Sequence, residues 1–129
     1  MQMISDTALA AIGRMTVAAT DLEYLLAWIG ADRAGGDVDA VFARPGDALM
    51  AARGSAEFAD AETRQELITV VESAGIYLAL SQTAVRRLWC DDVTPDPAVF
   101  NEIAGRLLAC RQWLQTYVEE HLGVTTDRT

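Results

Sequence analysis

Three long segments repeat apolar residues at three- and four-residue spacing, so each must bury one helical stripe against another element. In the first, Ala8, Ile12, Met15, Ala19, Leu22, Leu26 and Ile29 step along one face, and Leu25 and Trp28 widen it. This predicts a helix over residues 5–30, capped by Ser5, with Asp6 at the positive end of its dipole and Gly30 ending it in the left-handed conformation. Gly13 marks an expected close helix crossing. The second segment, 61–89, carries a seam of Leu67, Val71, Ala74, Leu78, Ser81, Val85 and Leu88 with Val70, Tyr77, Leu80 and Ala84 beside it. Its middle is apolar almost all round, which predicts the central helix of the fold, with Asp60 as its cap. The third, 97–122, opens on Asp96-Pro97 and repeats Phe100, Ile103, Leu107, Cys110, Leu114, Tyr117 and His121 until Gly123. Between the first two, Gly35-Gly36, Pro45-Gly46 and Gly54 punctuate two short helices, 38–43 and 46–53. Strand-like alternation is missing over any useful length. The expected fold is therefore all-α: one domain, 1–129, forming an up-and-down bundle of three long helices with two short ones between the first two, and a frayed tail at 124–129.

Composition narrows the function classes. A chain of 129 residues, 51% hydrophobic and 22% charged, can build a core without disulfides or metals. Its net charge is −9 and all its basic residues are arginine, so the average surface repels phosphate polyanions and anionic lipid, which argues against nucleic-acid binding. Charge interrupts the longest apolar stretches within a few residues, so a membrane span is not expected. The start has no basic region ahead of an apolar one, which points to a cytoplasmic protein. Cys90 closes the second long helix and Cys110 lies roughly 20 Å along the third, too far apart for a disulfide across an antiparallel pair. Two reduced, buried thiols are expected.

Catalytic material is sparse. The one histidine, His121, falls in a last helical turn, where it suits the negative dipole end. Metal-binding spacings of Cys, His or Asp are missing, and without lysine no P-loop is available, so neither a metal nor a cofactor is expected. Ser73 and Ser81 lack a base at helical reach, Ser55 falls in a loop with only Glu57 and Asp60 near it, and the acidic pairs Asp91-Asp92, Glu119-Glu120 and Asp37/Asp39 read as solvated surface. No residue is assigned a catalytic role. The Arg86-Arg87 pair is the most unusual charge feature: it complements the helix end, and its guanidinium forks also suit a carboxylate or phosphate on a partner. Trp89, with Trp28 and Trp113, reads as a core or interface anchor.

The order of a long helix with Ala19-Thr20-Asp21-Leu22-Glu23, short helices with Arg44-Pro45-Gly46-Asp47-Ala48-Leu49 and Ala51-Ala52-Arg53, a long helix ending Val85-Arg86-Arg87-Leu88-Trp89, and a final amphipathic helix resembles small bacterial HEPN-type domains over roughly residues 15–118. The resemblance implies a dimerising bundle whose penultimate long helix carries Arg-Asn-x-x-x-His, often followed by Trp, for metal-independent RNA cleavage at the dimer interface. Aligned on Trp89, Ser81 stands at the Arg position, Gln82 at the Asn position and Arg86 at the His position. An arginine, charged at any ordinary pH, cannot act as the base that activates a 2′-hydroxyl, and Ser81 supplies no cation.

The reading is thus a non-enzymatic bundle that works through protein contact, as a homodimer or with a cognate partner protein. Gln82, Arg86, Arg87, Trp89 and Tyr77 are the interface or ligand candidates. The alternatives are an acidic antitoxin or immunity-type protein that neutralises a basic nuclease, and a residual ribonuclease or nucleotide-binding domain.

Overall fold

A computed structural model describes residues 3–90 and 94–122. The chain forms α1 (Asp6–Ala34), α2 (Val38–Phe42), α3 (Asp47–Ser55), α4 (Ala61–Cys90) and α5 (Pro97–His121), with a 3-10 turn at Ala56–Phe58 after α3. Among the described residues there is no strand, and the all-α bundle is the fold. Asp91-Asp92, Gly123 and the tail at 124–129 lie outside the described residues.

The capping residues act as local chemistry requires. Ser5 Oγ accepts from the Ala8 N–H at 3.1 Å, and Asp96 accepts from the Ala98 N–H at 2.9 Å with Pro97 beginning α5. Asp60 accepts from the Thr63 N–H at 2.8 Å. That bond and the Thr63 hydroxyl hold the Asp60 carboxyl below its ordinary range.

Helix directions follow from cross-helix pairs. Arg14 donates to Asn101 at 3.0 Å and Arg111 is ion-paired with Asp21, so α1 and α5 run parallel. Ala84 and Leu88 meet Val99 and Phe100 around one hollow, and Asp60 feels the charge of His121, so α4 runs antiparallel to α5 and hence to α1.

Two expectations need correction. The central helix is α1: it packs on α2, α3, α4 and α5. It carries much of the core, including Met15, Leu22, Leu26 and Ile29. In α4 only Leu67, Val71, Ala74, Leu78 and Ser81 are buried. An apolar all-round composition does not specify which faces are covered. Second, α1 does not stop at Gly30. It continues to Ala34, and Gly35, at φ 71°, takes the left-handed cap, its N–H donating to Ala31 O.

Gly30 has another use. A Cβ there would lie 2.4 Å from Ala51 Cβ and 2.8 Å from the Ala51 carbonyl carbon, so α3 rests directly on the α1 backbone. The close crossing expected at Gly13 is at Gly30 instead, for nothing lies within 4 Å of a Cβ built at Gly13. On its other side α3 meets α4, where Leu49 reaches over Gly75. The nine residues of α3 span about 13 Å against about 43 Å for the 29 of α1. A fourth helix position between α1 and α4 is thereby filled over only part of its length.

Gly30→Ala should lower stability by about 1–3 kcal/mol through forced separation of α1 and α3. Gly105→Ala, in an α5 position with nothing near its Cβ, should raise it by up to about 1 kcal/mol, both measured by denaturant unfolding. Asp60→Ala should lower the thermal midpoint at neutral pH. Because the folded carboxyl titrates below its unfolded value, its contribution is present above the ordinary carboxylate range and lost as pH falls through the folded value, so the gap between variant and parent should close in acid.

Candidate functional site

Where α3 stops, α1 and α4 leave a cleft of about 310 Å³. Met15, Thr16, Ala19, Thr20 and Glu23 form its α1 wall, and Ser81, Gln82, Val85 and Arg86 its α4 wall. Spacing explains the grouping: positions 15, 16, 19, 20 and 23 share a helix face, as do 81, 82, 85 and 86.

Its hydroxyl protons are already committed. Thr16 donates to Ile12 O at 2.8 Å, Thr20 to Thr16 O at 2.9 Å, and buried Ser81 to Leu78 O at 2.7 Å. The Gln82 amide and the Arg86 guanidinium make no hydrogen bond or ion pair among the described residues, and neither does the Glu23 carboxylate. Glu23 is half-buried, and loss of solvent raises its pKa. Since the helices are antiparallel, Glu23 stands at the Ser81 end and Arg86 at the Met15 end. The cleft can thus hold an anionic group at one end and a cationic group at the other, with an apolar floor between.

The sequence candidates divide. Gln82 and Arg86 come together in the cleft, and Ser81 lies in its floor. Arg87, about 100° further round the helix, lines the separate hollow between α4 and α5 with Leu88 and Phe100. Tyr77 is half-buried against the core, while Trp89 is 64% exposed near the end of α4. Trp28 and Trp113 pack on the core, Trp113 stacked on Tyr117 with ring centroids 5.8 Å apart. Glu23 is a cleft residue that the sequence pattern does not single out, although its position four residues on from Ala19 places a carboxylate at the edge of the Met15–Ala19 stripe. Both cysteines are free, but Cys90 is exposed rather than buried as expected, because it stands at the last position of α4, past the reach of the core. Among the described residues, no group of three His, Cys, Asp or Glu could hold a metal ion.

Along its length α4 is uncharged from Ser73 to Val85, with Ile76 and Leu80 exposed on the side turned away from the core and the cleft. By length and composition α4 is long and apolar enough to cross a membrane: its most apolar 18 residues have a mean hydropathy of 1.3, and 22% of them are buried in the bundle. The interrupting charges that argued against such a stretch lie mostly in its first turns and at Arg86-Arg87.

Comparison with known proteins returns no match to a family model, to a curated protein or to a solved structure.

One thiol per chain should react rapidly with a disulfide reagent under native conditions. Cys110, buried and with its thiol pKa raised by desolvation, should react only on unfolding, a difference read from the kinetics of labelling.

Proposed function

We propose that this chain is a non-enzymatic helical bundle that acts through protein contact as a homodimer, with the form of a HEPN-type domain that has lost its catalytic motif. The observation that carries the reading is the cleft itself. The positions that align with that motif, Ser81, Gln82 and Arg86, gather at one site on the surface, yet they bring neither an imidazole nor a second cation. A guanidinium does not serve as a general base, and Glu23, the one carboxylate of the cleft, stands at the opposite end from Arg86.

Two further features favour contact with protein. An uncharged, partly exposed α4 face in a chain of net charge −9 is costly to leave in water and suits burial at an interface. The net charge of −9 weighs against a polyanionic ligand.

Light scattering after size exclusion should give about twice the mass of one chain at micromolar concentration. Incubation with single-stranded and structured RNA should leave both substrates intact. A monomer at every concentration, or RNA cleavage that Arg86→Ala abolishes, would sink the proposal.

A further inference from the structure

The cleft is electrically incomplete within one chain. Glu23 is half-buried without a cation beside it, and Arg86 has no carboxylate among the described residues. The antiparallel course of α1 and α4 keeps them at opposite ends: Glu23 lies eight residues beyond Met15, about 12 Å along α1, while Arg86 faces the Met15 end. Rotation by 180° about an axis through the middle of the cleft and perpendicular to its length exchanges those two ends. It sets the Glu23 end of one cleft against the Arg86 end of another.

We propose that the α1–α4 cleft is closed by the same cleft of a second copy, with Glu23 of each protomer paired to the partner's Arg86 across the two-fold axis. This rests on the dimer reading above and names its contact. An isologous interface needs a self-complementary surface, and one carboxylate and one guanidinium at opposite ends of a neutral strip meet that requirement twice over. Leu9, seven residues before Thr16 and so on the same face, lengthens the α1 wall to about 21 Å as far as Glu23. A stable interface takes about 800 Å² from each partner, roughly a tenth of the 7796 Å² this chain exposes. The strip is also the place where two chains of net charge −9 can approach without adding repulsion at the contact.

Charge reversal tests the pairing. Glu23→Arg brings two guanidinium groups face to face across the axis, and Arg86→Glu brings two carboxylates face to face, so each variant alone should dimerise at least about tenfold more weakly in analytical ultracentrifugation. Mixed in equal amounts, the two variants offer complementary ends on both sides of the axis and should form a heterodimer of near-parent affinity. Circular dichroism of each variant separates loss of fold from loss of contact, and if either fails to fold, the milder Glu23→Gln and Arg86→Gln, each weakening the dimer, replace them. A parent dimer indifferent to these substitutions, or reversal variants that fold but do not recover on mixing, would overturn the pairing and leave the homodimer reading in place. A parent that stays monomeric and sediments with neutral lipid vesicles would overturn both.

Discussion

The backbone approach of α3 to α1 at Gly30 is the contact on which the rest of the arrangement depends. With no Cβ on that residue, Ala51 can lie on the α1 backbone, while Ala27, Ala48 and Ala52 are buried nearby. Small side chains let helices pack at short axial distance, and the gain comes from many weak dispersion contacts rather than from a few large apolar groups. Because α3 is held there, it occupies one end of the channel between α1 and α4 and leaves the other end open. The cleft is the remainder of a fourth helix position, created by a helix too short to fill it.

The periodic signal carried most of the architecture. Capping at Ser5, Asp60 and Asp96 was readable because side chains that accept from the first free N–H groups are few and stand just outside the apolar stripes. The central position was not readable in the same way. Alanine at 8, 11, 18, 19, 27 and 31 of α1 contributes little hydrophobicity to a pattern, but all six are buried, whereas Ile76 and Leu80 of α4 contribute much and stay exposed. Gly30 and Gly35 look alike as helix stops. Only the opposing Ala51 separates a glycine that makes room from one that turns the chain.

The candidate site was half legible. Gln82 and Arg86 share a face four residues apart, so their convergence follows from helical geometry alone, and the same geometry sends Arg87 elsewhere. Glu23 depends on the pairing of α1 with α4, separated by about sixty residues of chain, and local pattern holds no information on that. Its raised pKa is a consequence of tertiary burial.

The glycine–alanine seam between α1 and α3 also sets how this sequence can drift. Large core residues such as Leu22 or Met15 can exchange with others of similar volume at modest cost. At Gly30 no replacement is smaller, and every replacement is larger by at least a methyl group that meets Ala51. The chemically plainest stretch of the molecule is therefore among its least substitutable, because the cleft exists only while α3 keeps its place on the α1 backbone.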